Sequence, residues 1–107
     1  MWIGALRLTF RLRLARSLKD KRRAANQIRD RVRGRFPVAI AEVEGADDLR
    51  RLVLGVSTVG NDPREIRSAL DRIIDFIEGL YVAEIVGRDV AIHRMDPELP
   101  LSSGELG

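Results

Sequence analysis

The sequence from Ala15 to Arg35, ARSLKDKRRAANQIRDRVRGR, predicts a tight turn followed by one helix rich in arginine and lysine. Ser17 is a favourable N-cap residue, and Asp20 three positions later completes an acidic variant of the capping box. Gly34 suits a helix terminus, and Pro37 blocks continuation because proline has no amide hydrogen to donate. The rest of the chain is expected to supply the sheet and the second helix that hold this helix in place.

The predicted helix has one apolar stripe and one basic flank. Apolar residues recur at helical spacing and form the stripe, which consists of Leu18, Ala25, Ile28 and Val32. At about 100° per residue, the flank contains Arg22, Asn26, Arg29 and Arg33, and Lys19 and Arg23 lie further round toward solvent. Lys21 falls near the stripe, so we expect its stem to pack while its ammonium group reaches solvent.

Charge is unevenly distributed along the chain, although the net charge is only +3. Residues 1–35 carry twelve arginines and lysines against two aspartates, and residues 36–107 carry seven against fourteen acids, so the two parts have net charges of +10 and −7. Such asymmetry favours an anionic partner for one face of the molecule. The alternative is a solvated helix that balances its own charge, but the acids within the run are too few to do so.

The composition indicates one globular domain and excludes several chemistries. With 107 residues the chain is long enough for one core but not for two. It has no cysteine, which excludes a disulfide framework, a thiolate nucleophile and a cysteine-ligated zinc site, and which fits a reducing cytoplasm. The N-terminal segment MWIGALRLTF is apolar but too short to span a membrane, and no cleavage pattern follows it. We therefore expect a cytoplasmic protein without an export signal or a membrane partner.

Alternating apolar residues predict four strands, and a second run at helical spacing predicts another helix. The expected strands are Trp2–Leu14, Phe36–Glu44, Arg51–Gly60 and Val82–Arg94. The second helix starts at Pro63 after the N-cap residue Asp62, and Gly79 ends it. Its core stripe is expected to consist of Ile66, Ala69, Leu70, Ile73 and Ile77. The alternation breaks near Ala41, which predicts a bulge, and at Gly87–Asp89, which predicts a bulge or an irregular entry to the strand.

The element order β-α-β-β-α-β predicts an α+β fold of the ferredoxin-like plait type. In this fold a four-stranded antiparallel sheet carries both helices on one face, and the first and third strands are central neighbours. We expect the helices to cover the face of Leu6, Leu8, Leu54 and Val56. Residues 1–95 would form this single domain, and residues 96–107, which have little to bury, would form a loose C-terminal tail.

The other face of the predicted sheet has no helix over it and would present Arg7, Thr9, Arg11, Val53, Ser57 and Val59. RRM domains use this face to stack RNA bases on aromatic residues. This chain has no aromatic residue there, so that mode of recognition is not expected, whereas contact of arginines with an RNA backbone remains open. The apolar part of the face, Ile3, Ala5, Val53 and Val59, supports an alternative in which it forms a homodimer or another protein contact.

No catalytic constellation stands out, so we expect a protein that is not an enzyme and has no cofactor or metal. Acylphosphatases share this fold and bind phosphate in a glycine-rich loop after the first strand, but the corresponding residues 14–17 contain no glycine. Arg16 and the amides of the helix N-terminus could still hold one phosphate, and the simpler alternative is that Ser17 only caps the helix. His93 has no partner dyad and is expected to be an ordinary edge residue. The acids Glu42, Glu44, Asp47 and Asp48 are expected to be solvated loop acids rather than a cation site.

Four motifs carry a resemblance to a known family. GALRLTFRL at residues 4–12, ARSLKDKRR at 15–23, AEVE at 41–44 and LGVSTVGND at 54–62 resemble the YlxP-like family, a small bacterial family of unknown function. The resemblance covers about residues 1–94, and it implies a ferredoxin-like plait in the cytoplasm. Genes of that family tend to lie among translation and ribosome-maturation genes, which implies a role with RNA or the ribosome by association. No catalytic residues are established for the family.

The sequence therefore favours a non-enzymatic RNA- or ribosome-associated module that binds phosphate backbone through the first helix. The expected nucleic-acid-binding residues are Arg16, Lys19, Arg22, Arg23, Arg29 and Arg33 of the basic segment, with Arg7 and Arg11 of the first strand. The alternative is a homodimeric protein-interaction module that uses the open face of the sheet.

Overall fold

Six secondary-structure elements make up the computed structural model, which describes residues 1–95. They are β1 (Trp2–Arg11), α1 (Leu18–Arg33), β2 (Ala39–Glu44), β3 (Arg51–Gly60), α2 (Pro63–Glu78) and β4 (Glu84–Arg94). The strands form one antiparallel sheet in the order β2-β3-β1-β4, so β1 and β3 are the central pair. This confirms the predicted ferredoxin-like plait, and the predicted tail, residues 96–107, lies outside the described residues.

Both helices pack on the face of the sheet that the alternation predicts. Leu6, Leu8, Leu54 and Val56 on this face are each at most 2% exposed. The helices bury Ala25, Ile28 and Val32 from α1, and Ile66, Leu70, Ile73, Ile74 and Ile77 from α2. Ile74 was not part of the predicted stripe, and Ala69, which was, is only half-buried. The core is therefore a single layer of apolar side chains, mostly aliphatic and including Phe10, between the sheet and the helices.

Two leucines that the patterns assign to the core are exposed. Leu14 is 87% exposed because β1 ends at Arg11 and the chain turns before residue 14, so the period of two no longer applies. Leu18 is 44% exposed in the first turn of α1. The prediction that both pack in the core is wrong, and both remain on the surface at the N-terminal end of α1.

Side chains cap both helices at their N-termini, as predicted. The Ser17 hydroxyl accepts from the Asp20 amide at 3.1 Å, and the Asp62 carboxylate accepts from the Arg64 amide at 2.9 Å. Asp20 in turn accepts from the Arg16 amide at 2.9 Å. These bonds use amides that a helix cannot satisfy internally, so each helix starts at a residue fixed by its own sequence.

Several strand boundaries and both irregularities differ from the sequence-based prediction by a few residues. β1 ends before Leu14, β2 starts at Ala39 rather than Phe36, and β4 starts at Glu84 rather than Val82. In β2 the register shifts between residues 42 and 44, so the bulge lies at Val43 rather than at Ala41. In β4 the residue left out of the register is Val86, next to the predicted break. Local alternation fixes the face of a strand more reliably than its ends.

Gly4 allows α2 to approach β1 closely. A Cβ atom at Gly4 would lie 2.3 Å from Cγ2 of Ile66 and 3.3 Å from Cδ1 of Leu70. A distance of 2.3 Å is far inside van der Waals contact, and Cγ2 of isoleucine is held close to the helix backbone. The absence of a side chain at Gly4 is therefore part of the packing of α2 on the sheet.

Candidate nucleic-acid interface

The outer face of α1 carries exposed cations at its N-terminal end. Lys19, Arg22 and Arg23 are exposed and fall within about one helical turn, and they are called here the outer basic cluster. None of the three has a carboxylate within 4.0 Å among residues 1–95. The alternative to an anionic partner was a helix whose own acids balance its charge. The contacts among residues 1–95 do not balance the charge of this cluster.

Lys21 lies in the same basic run but serves the fold. It is 3% exposed, and its Nζ donates to the carbonyl oxygens of Gly45 and of Asp48, the latter at 2.8 Å. Oε2 of Glu42 lies 3.2 Å from the same Nζ. The prediction that this ammonium group reaches solvent is wrong, because the β2–β3 turn folds over it and supplies two carbonyl oxygens, and Glu42 of β2 supplies a third oxygen. Gly45, at φ 75°, gives that turn a left-handed backbone that glycine adopts without strain.

Two of the predicted nucleic-acid-binding arginines on α1 make contacts within the protein. Nη2 of Arg33 donates to the carbonyl oxygen of Ile40 in β2 at 3.1 Å. Nη2 of Arg29 donates to Oδ1 of Asn26, and Arg29 is half-buried. These arginines lie on the flank of α1 beside β2, and each remains a cation without a carboxylate partner among residues 1–95. They contribute positive potential to that flank, but their geometry is set by the fold.

Arg7 and Arg11 lie on the open face of the sheet, opposite the helices. The guanidinium of Arg7 reaches Oδ2 of Asp89 at 3.0 Å and Oε2 of Glu44 at 2.6 Å. The hydrogen bond to Asp89, and to a smaller extent the one to Glu44, raises the pKa of Arg7 above its ordinary value. The predicted site residues therefore do not form one surface, because six belong to α1 or the turn before it and two to the other side of the sheet.

Two of the four acids near the β2–β3 turn pair with cations of the same chain. Glu42 pairs with Lys21, and Glu44 pairs with Arg7 and lies 3.8 Å from Arg51. The Asp48 carboxylate accepts from the Arg50 amide at 3.0 Å. The prediction of solvated loop acids is wrong for Glu42, which pairs with Lys21 of α1, and for Glu44, which pairs with Arg7 of β1. Within residues 1–95 the structure brings together no group of three or more acids and histidines that could hold a metal ion.

The N-terminus of α1 supports the simpler of the two interpretations of Ser17. Two amides at this terminus have side-chain acceptors: the Asp20 amide bonds to the Ser17 hydroxyl, and the Arg16 amide bonds to the Asp20 carboxylate. A phosphate at this terminus would lie next to the Asp20 carboxylate, which carries the same sign of charge. The Arg16 side chain is exposed beside the outer basic cluster and can add to it.

An open groove of about 1330 Å³ lies between the turn before α1 and the turn after α2. Its lining includes Leu14, Tyr81 and Arg23, so it adjoins the outer basic cluster. The sequence does not indicate this groove, because its two turns lie more than sixty residues apart in the chain. The only available signal was Tyr81 itself, an aromatic residue just beyond a helix-terminating glycine.

The fold and this surface define a small α+β domain of the ferredoxin-like type with one basic helical face. The family model described as "Protein of unknown function (DUF503)" matches residues 3–90, and the chain therefore belongs to the DUF503 family. Comparison with curated proteins found no match. Within the part of the chain that the structure describes, neither helix has the length and apolar character needed to cross a membrane.

Proposed function

We propose that this protein is a non-enzymatic cytoplasmic module that binds the phosphate backbone of RNA, as part of an association with the ribosome. The outer basic cluster carries the proposal, because Lys19, Arg22 and Arg23 are exposed together without a carboxylate partner among residues 1–95. Cations in this state displace the counterions that are condensed on nucleic-acid phosphates, and the release of those counterions drives binding that does not depend on sequence.

The rest of the basic segment extends this surface. Arg16 lies next to the cluster before the first turn of α1, and Arg29 and Arg33 continue the positive potential along the flank beside β2. From Arg22 to Arg33 the helix rises by about 16 Å, which is long enough to face several successive phosphates. Arg7 has its charge balanced by Glu44 and Asp89, so we assign it a structural role and place the RNA on the helical side.

The motif resemblance to the YlxP-like family supports the choice of partner. Genes of that family tend to lie among translation and ribosome-maturation genes, which favours RNA over other polyanions. This support is associational, whereas the physical support comes from the outer basic cluster.

A second candidate is a homodimeric protein-interaction module that uses the open face of the sheet. A shallow apolar groove of about 510 Å³ lies on this face and is lined largely by alanines and valines, among them Ala5, Ala41, Val43 and Ala91. β2 and β4 are the two edges of the sheet. Small apolar side chains next to open edges favour contact with another sheet.

Co-sedimentation with purified ribosomal subunits tests the leading proposal. Wild-type protein should sediment with a subunit at low salt and be released at high salt, because the contacts are made to phosphates. A protein with Lys19, Arg22 and Arg23 changed to glutamate should stay in the supernatant at both salt concentrations. Equal sedimentation of the two proteins would contradict the proposal.

A further inference from the structure

Tyr81 is displayed on the surface in a strained backbone conformation. It is 92% exposed, and its φ of 54° lies in the left-handed region, which residues with a Cβ atom rarely adopt. Glycine would adopt this conformation without strain. The ring is not part of the hydrophobic core, so the strain is not offset by burial of the side chain. Such a residue points to a role outside the packing of the fold.

The ring stands at the groove between the turn before α1 and the turn after α2. Leu14, 87% exposed, lines the same groove, so two of its large apolar lining residues are strongly exposed. Four carboxylates also line it: Asp20, Asp75, Glu78 and Glu84. Two of them form ion pairs: Nη2 of Arg13 lies 2.9 Å from Oε1 of Glu84, and Nη2 of Arg88 lies 3.4 Å from Oε2 of Glu78.

This lining suits an uncharged planar group better than a phosphate. The carboxylates repel phosphate, but they accept hydrogen bonds from the amino groups of bases. An exposed aromatic ring binds a base by stacking, and stacking tolerates any base. Arg23 belongs both to the groove and to the outer basic cluster, so a nucleotide could place its base in the groove and its phosphate on the cluster.

We propose that this groove binds an unpaired base of single-stranded RNA, stacked on Tyr81. The inference rests on the proposed function, since the phosphates of the same strand lie on the outer basic cluster. It adds that the preferred partner is single-stranded, because the bases of a duplex are not free to enter the groove.

Fluorine NMR gives a direct test, because the chain contains one tyrosine. In protein labelled with 3-fluorotyrosine the single resonance should shift when a single-stranded oligouridylate or oligoadenylate is added, and should shift less with a duplex RNA of equal length. An unchanged resonance at saturating single-stranded RNA would overturn the inference. That result would also be expected if the groove binds a protein segment instead.

Affinity measurements separate this inference from the proposed function. Tyr81→Ala should weaken binding of the single strand by at least about fivefold, which corresponds to the lower end of base–aromatic stacking energies. Tyr81→Phe keeps the stacking face and should bind like the wild type, and duplex binding should not change in either variant. Wild-type affinity of Tyr81→Ala for the single strand would contradict the stacking role alone. If charge reversal of the outer basic cluster also left binding unchanged, the proposed function itself would fail.

Discussion

The ammonium group of Lys21 donates to the carbonyl oxygen of Asp48 at 2.8 Å and thereby joins α1 to the β2–β3 turn. The bond matters for the interface because Lys21 lies between Lys19 and the pair Arg22 and Arg23 in the sequence. Lys21 is buried on the same face of α1 as Ala25, Ile28 and Val32, and burial of this face turns the outer basic cluster toward solvent. One lysine of the basic run therefore positions the other cations.

Replacing Lys21 by methionine should destabilise the protein. The change keeps most of the apolar stem but leaves two turn carbonyls and the Glu42 carboxylate without their donor. We expect a loss of about 2 kcal/mol in the free energy of unfolding, which is less than for a fully buried ion pair because Glu42 is partly exposed. Urea denaturation measures this loss. Lys19→Met on the same helix is the matched control and should change stability by less than about 0.5 kcal/mol.

Gly4→Ala should also lower stability, by overpacking. The new methyl group would lie 2.3 Å from Cγ2 of Ile66, so α2 must move or Ile66 must leave its rotamer. We expect a loss of about 1–3 kcal/mol. Gly60→Ala is the control. Gly60 also faces Ile66, but its Cβ atom would lie 3.4 Å from the nearest atom of that side chain. Equal midpoints of denaturation for the two variants would show that α2 does not depend on the glycine in β1.

Val56→Asp should unfold the domain, whereas Val59→Asp three residues later should not. Val56 is buried between β3 and the helices, and an unpaired carboxylate there has no hydrogen-bond donor to meet it. Val59 is 62% exposed on the open face. Circular dichroism should show loss of structure for the first variant and a native spectrum for the second. Cooperative native-like melting of Val56→Asp would refute the assignment of the faces.

The second candidate function predicts self-association through the open face. Sedimentation equilibrium should then detect a dimer that Ala41→Glu converts to a monomer, because the new carboxylate would enter the apolar groove. A wild-type monomer at high protein concentration would remove this candidate. It would leave RNA binding unaffected, since a monomer presents the outer basic cluster equally well.

The fold was predictable from sequence because its determinants are local. Alternation in residues 2–11 and 51–60, with the caps Ser17 and Asp62, fixed the type, order and facing of the elements. The environments of individual charges were not predictable in the same way. Arg7 meets Asp89, 82 positions away in the chain, and Lys21 meets a turn more than twenty residues away. Such pairs follow from strand register and helix placement, which are known only once the chain has folded.

The same distinction explains what the sequence indicated about the candidate site. The basic run identified α1 as the charged element, but only the packed structure separates Lys19, Arg22 and Arg23 from Lys21 and Arg33. The first three have no carboxylate partner among residues 1–95, whereas Lys21 and Arg33 bond to β2 and its turn. Charge reversal is therefore best placed at the outer basic cluster rather than at Arg29 and Arg33. A loss of binding after charge reversal at the outer basic cluster could not be attributed to a damaged fold.

Salt-dependent binding of a fluorescent single-stranded RNA tests the central claim most directly. With Arg16 and the outer basic cluster neutralising four phosphates, a log–log plot of affinity against salt should have a slope of about −3. Glutamate at Lys19, Arg22 and Arg23 should abolish binding or flatten that slope. The matched control reverses Arg64, Arg67 and Arg72, three exposed arginines of α2, and should keep the wild-type slope despite the same change in net charge. If both triple variants lose binding equally, the attraction comes from overall charge, and if both bind like the wild type, α1 is not the RNA-binding surface.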